Sequence, residues 1–333
     1  MRVLVAGGAG YIGSVTSRLL IEAGHEVLVF DNLSYGHRSA VLPPARLIVG
    51  DLGDARAIDR VVAEFRPDGI MHFAALIQVG ESVLKPDLYF SNNVACGINL
   101  LNACGRNKVP WLVFSSTAAV YGAPDQVPVT EEAALKPTNP YGSTKTIFEA
   151  LLREYARAYG LRYAALRYFN VAGAYAGLGE DHRPETHLIP RILRSILHPG
   201  EKFQIYGQDY PTRDGTCIRD YVHVYDLAMA HILAMKALRE NKGGGELEAG
   251  LVYNLGSEAG FTVKEVFAAC ERVVGQKIPY EVVGPRAGDV PALVASSEKI
   301  KQELGWHPVK SGLETMIADA WEFHKSHPHG YPD

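Results

Sequence analysis

Cysteine is scarce in this chain: four residues in 333, at Cys96, Cys104, Cys217 and Cys270. None stands in a Cys-x-x-Cys pair, and a chain of this length does not need covalent staples, so free thiols are expected rather than a disulfide framework. An excess of one charge sign is missing too, with 33 Lys and Arg against 37 Asp and Glu and a formal net charge of −4. There is no basic surplus and no Lys/Arg block to neutralise a phosphate backbone or an anionic lipid surface, which argues against nucleic acid and membrane as partners. Long hydrophobic runs are absent as well. The first, Val3 to Ala6, ends in glycines and is too short for a signal peptide or a membrane span, so a cytoplasmic location is expected. Internal repeats and low-complexity tracts are not found either.

What the chain does have is apolar content of 47% against 21% charged residues, enough to bury a sizeable core in two lobes. Short runs rich in Val, Leu, Ile and Phe fall at residues 2–6, 26–30, 46–49, 69–73, 111–115 and 163–166. Helix-length amphipathic stretches separate most of them, for example 13–23, 55–65, 92–107 and 141–159. That alternation predicts an α/β fold, a doubly wound parallel sheet of Rossmann type. After about Asn170 the rhythm breaks into Gly- and Pro-containing loops, with short strands at 203–206, 252–255 and 278–282 and helices at 225–238, 263–274, 297–304 and 313–324. Residues 1–172 are therefore read as the sheet domain and 173–333 as a smaller α/β lobe, with segments near 216–240 available to fold back onto the sheet. The Lys242-Gly243-Gly244-Gly245 stretch reads as a loop tip.

Gly7, Gly10 and Gly13 stand where the first strand turns directly into a helix. Missing side chains there let the backbone approach a pyrophosphate, and the helix N-terminus supplies partial positive charge. A tight strand-to-helix turn without a ligand would also use such glycines. Asp31 follows the second strand at the distance expected of a ribose-binding carboxylate, which accepts hydroxyl hydrogen bonds and repels the extra phosphate of NADP, so NAD is the expected cofactor. Asp51 ends the third strand, where it either meets the adenine or caps the helix over residues 54–65.

Tyr141 and Lys145 lie four residues apart on a predicted helix after Pro140, with β-carbons roughly 6 Å apart. A free phenol has a pKa of about 10 and is a poor base at neutral pH. A lysine charge at that distance contributes about 2 to 3 kcal/mol at an effective dielectric near 20, which lowers the phenol by roughly two units, and a nicotinamide cation adds a similar push. A third member should hydrogen-bond the reacting hydroxyl, and Thr117, at the carboxyl edge of the 111–115 strand, is the candidate. A turn-forming hydroxyl cluster is the rival reading of Ser115-Ser116-Thr117.

In chain order, Gly7-Gly8-Ala9-Gly10-Tyr11-Ile12-Gly13, Asp31-Asn32-Leu33, His72-Phe73-Ala74-Ala75, Gly80-Glu81-Ser82-Val83, Asn92-Asn93-Val94, Pro140-Tyr141-Gly142-x-x-Lys145 and Arg167-Tyr168-Phe169-Asn170 resemble the motifs of the extended short-chain dehydrogenase/reductase family. Further on, Gly215-Thr216-x-x-Arg219-Asp220-Tyr221-Val222-His223-Val224, Arg286-Ala287-Gly288-Asp289 and His329-Gly330-Tyr331-Pro332-Asp333 resemble its UDP-glucose 4-epimerase branch. The resemblance implies interconversion of UDP-glucose and UDP-galactose on a permanently held NAD. In that scheme Tyr141 takes the proton of the sugar 4-hydroxyl as hydride passes to the nicotinamide. The 4-keto sugar then turns over and receives the hydride on its other face. Lys145 would hold the nicotinamide ribose and Thr117 the 4-oxygen. Gly7, Gly10, Tyr11, Ile12, Gly13, Asp31, Asn32, Asp51, Leu52, Phe73, Ala74, Asn92 and Phe169 would surround the NAD. Asn170, His187, Leu188, Tyr206, Arg219, Arg286, Asp289 and Leu293 would line the UDP-sugar site, the two arginines suiting a diphosphate.

Three departures from the branch stand out. Thr117 replaces a frequent serine and keeps the hydroxyl. His187 replaces an asparagine common beside Leu188, which leaves a direct contact there open. Leu293 holds a position where tyrosine excludes N-acetylated sugars and small residues admit them, so activity on UDP-N-acetylglucosamine is expected. Related dehydratases place an Asp-Glu pair after the threonine. Ala118-Ala119 stand there instead and argue against loss of water. A UDP-glucuronate decarboxylase is the rival enzyme, and a non-catalytic NAD-binding regulator the rival from another class. No metal centre is expected: His324, His327 and His329 read as a polar C-terminal tail, and His72 as a core histidine. The resemblance also implies a homodimer, through the 92–107 and 141–159 helices.

Overall fold

The computed structural model describes residues 1–198, 203–241, 250–285 and 289–333. Arg286 and the Lys242–Gly245 loop tip therefore lie outside the described residues. The main sheet has seven parallel strands: β1 (Arg2–Ala6), β2 (Glu26–Asp31), β3 (Arg46–Val49), β4 (Gly69–His72), β5 (Trp111–Thr117), β6 (Arg162–Tyr168) and β7 (Leu251–Leu255). Their spatial order is β7-β6-β5-β4-β1-β2-β3, with Ala6 opposite Phe30 on one side and His72 on the other. The chain winds outward from β1 to β3 and then returns to β4, so a crevice opens at the carboxyl ends of β1 and β4, where ligands bind in sheets of this kind.

Alternation along β1 shows how two faces are filled at once. Val3 and Val5 point into a core made with α1 (Tyr11–Glu22) and with Leu227, Ala234 and Met235 of a later helix. Leu4 and Ala6 point the other way, into a core with Ile58, Val61, Val62 and Phe65 of α2 (Ala55–Phe65), Leu100 and Leu101 of α3 (Gly97–Asn107), and Phe148 and Leu152 of α4 (Pro140–Tyr159). The four apolar positions of α2 are spaced as one helical face requires. Its N-cap is Asp54, whose carboxylate accepts from Arg56 N–H and Ala57 N–H. Asp51 is thus not the cap. It bonds Gly53 N–H and the Asn32 amide instead, because it stands three residues too early to reach the first turn.

The 224–240 segment, α6 (Val224–Glu240) once α5 (Leu188–Leu197) is counted, packs on one face of the sheet against α1, β5 and β6. The strand expected at 252–255 in the smaller lobe is instead the edge strand β7 of the main sheet, Leu251 to Leu255 pairing with Ala164 to Tyr168. Its placement follows from β6, whose buried Ala164, Ala165 and Leu166 leave backbone groups that need a second neighbour.

The remaining segments pack α5, α7 (Val263–Val274) and α8 (Leu313–Ser326) around Ile192, Leu193, Phe203, Val266, Phe267, Met316 and Ile317. Among the described residues three small sheets complete this part, pairing 170–172 with 221–223, 203–206 with 280–283, and 218–219 with both 261–262 and 292–293. The chain end is docked rather than a polar tail. His324 is buried, and His327 stacks on Phe323 with ring centroids 4.6 Å apart. Tyr331 is buried against His37 and Phe323, because its apolar ring surface outweighs the polarity of its neighbours. All four cysteines are free thiols, as expected.

Candidate active site

The glycine turn at the end of β1 is built for close approach. Gly7 has a left-handed φ of 81°, and a β-carbon there would fall 2.4 Å from Ala74 N at the end of β4. A β-carbon on Gly13 would fall 2.2 Å from the Gly7 carbonyl oxygen, so only glycine lets α1 start directly on the turn. Gly10 is the N-cap and provides no side-chain acceptor, leaving the first amides of α1, at Tyr11 and Ile12, to face the crevice with their partial positive charge. Asp31 ends β2 half-engaged, its carboxylate accepting from Ala9 N–H at 2.9 Å and Leu33 N–H at 2.9 Å, while burial pushes its pKa up. Asn32 donates to Asp51 at 2.7 Å, with Leu52 buried beside them. Phe73 and Ala74 follow β4 on the other side of the crevice. This is a cradle of the shape and charge that a dinucleotide needs.

Tyr141, Lys145 and Thr117 are brought together as expected. Asn139 caps α4 through its side chain, accepting from Gly142 N–H at 2.8 Å, and Pro140 opens the first turn, so Tyr141 and Lys145 lie one turn apart on one face. Thr117 ends β5 and accepts from Ala119 N–H at 3.2 Å, as the turn-forming reading has it, and its hydroxyl acts on the neighbouring Tyr141 phenol. All three are buried.

The expected acidic phenol is not produced by Lys145 alone. Burial pushes Tyr141 up to about 12, eased only by the Thr117 hydrogen bond, and pushes Lys145 down to about 7, opposed by Glu149. The physical reason is the direction of the ammonium. Lys145 Nζ donates to the Ser115 carbonyl at 2.8 Å, lies 4.8 Å from the Phe114 ring centre and is 5.9 Å from that of Tyr141. Desolvation is the largest influence on both groups. His72 is a core histidine between Phe114 and Phe148, with burial lowering it to about 3.

Beneath this triad lies a network the motifs did not indicate. Glu149, the next residue along the 141/145 face, pairs with Arg167 of β6 through Nε at 3.0 Å and Nη2 at 2.6 Å. Ser116 also donates to Glu149, and Arg167 donates to the Tyr121 hydroxyl at 2.9 Å. The signal for Glu149 was present in the four-residue spacing of positions 141, 145 and 149. The asparagine that ties the crevice wall is Asn93, bonded to both Leu76 backbone groups and to Thr144. Asn92, the expected contact, donates to Asn93.

On the substrate side, Phe169 and Asn170 follow β6, and Asn170 Nδ2 donates to the Asp220 carbonyl at 2.9 Å. Arg219 and Asp289 form an ion pair at 3.4 Å, and Leu293 is the strand partner of Arg219, packing on the cluster that holds Ala118, Tyr121 and Phe169. Asp220 holds this corner together, accepting from Ser257, Glu258 and Ala295 backbone N–H groups. Tyr206 is partly buried, its hydroxyl donating to Gln204 at 3.1 Å. Leu188 opens α5. His187, placed at the substrate side with a direct contact left open, pairs with two buried carboxylates, Glu180 at 2.8 Å and Glu185 at 2.9 Å, which hold its pKa well above the ordinary value. Charge attraction decides that orientation.

Comparison with known proteins agrees with this geometry. The NAD dependent epimerase/dehydratase family model matches residues 3–256. The UDP-glucose 4-epimerase of Corynebacterium glutamicum is 49% identical over 323 residues, which span 97% of this chain and 95% of that protein. The crystal structure of UDP-glucose 4-epimerase from Brucella ovis in complex with NAD superposes with a TM-score of 0.92 at 45% identity, covering 96% of this chain and 97% of that one. The Bifidobacterium longum UDP-glucose 4-epimerase in complex with NAD+ and UDP gives a TM-score of 0.92 at 36% identity, covering 99% and 100%.

Proposed function

Because the chain belongs to the NAD dependent epimerase/dehydratase family, we infer that it inverts C4 of a UDP-hexose, converting UDP-glucose to UDP-galactose and back with tightly held NAD. The observation that carries the reading to the site is the meeting of Tyr141, Lys145 and Thr117 at the carboxyl end of β5, beside a glycine cradle with an uncapped helix start. NAD, when bound, accepts a hydride from C4 and returns it. The residues of the chain do the rest. Thr117 positions the 4-hydroxyl, and Tyr141 takes its proton and returns it to the 4-oxygen after the 4-keto sugar has turned its other face to the cofactor. Lys145, held by the Ser115 carbonyl and supported by Glu149, keeps a cation at the ribose side. Arg219, with Arg286, takes the diphosphate, and Asn170, Tyr206, Leu188 and Asp289 surround the nucleotide.

The direct test is to denature the purified protein, identify the released nucleotide, and separately supply UDP-galactose without added cofactor. Tyr141→Phe should lower turnover by about 10²- to 10⁴-fold, the usual contribution of a positioned acid/base. Equal rates for the two proteins would end the tyrosine-base reading.

The same reading includes a homodimer in the cytoplasm. Exposed Val83, Leu84, Leu88 and Phe90 stand on short helices that pack against α4, which exposes Ile147, and these apolar groups are candidates for cover by a second copy; four free thiols suit a reducing compartment. Light scattering on the purified protein checks the assembly, and a monomer at all concentrations refutes it. Fractionation of expressing cells checks the location, and recovery outside the cytoplasm refutes that. No helix among the described residues is long and apolar enough to cross a membrane.

A further inference from the structure

Outside the crevice triad, the loop before α5 gathers Glu180, His182, Glu185 and His187 so that one donor atom of each lies within 4.8 Å of all the others. We propose that these four side chains bind a divalent cation of the zinc class, fixing the 180–187 loop to the start of α5.

Three observations support this assignment. The first is spacing. His187 Nδ1 is 2.8 Å from Glu180 Oε1 and 2.9 Å from Glu185 Oε1, while His182 Nδ1 is 3.1 Å from Glu180 Oε1 and 3.7 Å from Glu185 Oε2. Metal–ligand bonds of about 2.0 to 2.2 Å in a tetrahedron put neighbouring donors about 3.3 to 3.6 Å apart, inside that spread. The second is an orphaned acceptor. Glu185 Oε2 is buried and makes no hydrogen bond, although the side chain is only 4% exposed. A buried carboxylate oxygen without a donor is costly, and a cation at the centre of the four groups would satisfy it. The third is prior fixation. Glu185 Oε1 accepts from the backbone N–H of Thr186 at 2.7 Å and of His187 at 2.8 Å, so the ligand set is held by its own loop.

Donor chemistry selects the ion. Two imidazoles and two carboxylates with no thiolate suit zinc and its first-row neighbours, whereas Mg²⁺ and Ca²⁺ prefer all-oxygen shells. Two carboxylates also match the charge of a divalent cation.

The test uses the full-length protein with its nucleotide retained. It is dialysed against a chelator, then titrated with ZnCl2 by calorimetry and assayed for bound metal. The expected result is one Zn²⁺ per chain, with a rise in melting temperature on addition of the metal. Glu185→Gln and His182→Ala should each weaken binding by more than about 100-fold, beyond the roughly 10- to 100-fold loss typical of an outer partner. A His327→Ala/His329→Ala double variant, which removes two histidines of the docked chain end, should bind as the wild type does. Wild-type protein that takes up no zinc overturns the proposal whether or not the variants fold. So does unchanged binding in Glu185→Gln, or loss of binding in the His327/His329 variant.

Discussion

Glu149→Gln isolates charge from shape at the support beneath the active site. Glutamine keeps the volume and one acceptor for Ser116, but it leaves the Arg167 guanidinium buried without a counter-charge, both side chains being 6% exposed in the wild type. At an N···O distance of 2.6 Å the pair attracts by at most roughly 6 kcal/mol at an effective dielectric near 20, much of it offset by desolvation. Removing one partner forfeits the attraction and keeps the desolvation of the other, so Glu149→Gln should destabilise by about 3 to 5 kcal/mol. Replacing both, as Glu149→Leu with Arg167→Met, removes both desolvation costs and should recover most of that loss. The assay is urea unfolding of the nucleotide-bound protein for wild type, both singles and the double. A coupling energy of about 2 kcal/mol or more is expected, within the range for residues in one network. Activity should fall as well, since Glu149 opposes the loss of charge on Lys145 and its removal lets that pKa drop below about 7. Strictly additive losses, or a Glu149→Gln cost under about 1 kcal/mol, would refute the reasoning.

Two further outcomes follow from the same geometry. Leu293 is level with Arg219 and packed on the Phe169 cluster, and a tyrosine ring there is bulkier and planar, so Leu293→Tyr should lower turnover of UDP-N-acetylglucosamine relative to UDP-glucose. A ratio unchanged from wild type would remove Leu293 as a determinant of that preference. Gly13→Ala places a methyl 2.2 Å from the Gly7 carbonyl oxygen, and overpacking of this kind costs about 1 to 3 kcal/mol. The variant should be purified with less nucleotide than wild type, measured by absorbance after denaturation, and full retention would contradict the close-approach role.

Much of the site was legible before any coordinates, because it is local in the chain. Gly7, Gly10 and Gly13 are constrained by one turn, Tyr141 and Lys145 by one helical repeat, and Thr117 by the end of one strand, so spacing alone aligns each group. The strand rhythm to residue 166 likewise follows from apolar runs that must be buried on both faces. The tertiary structure decided whatever depends on partners distant in sequence. It placed Leu251–Leu255 at the sheet edge beside β6, paired Glu149 with Arg167, and set Leu293 beside Arg219. It paired His187 with Glu180 and docked Tyr331 against His37. It also showed that Lys145 alone does not make Tyr141 acidic, because the direction of Lys145 and the depth of burial act on its pKa, and neither is a property of spacing.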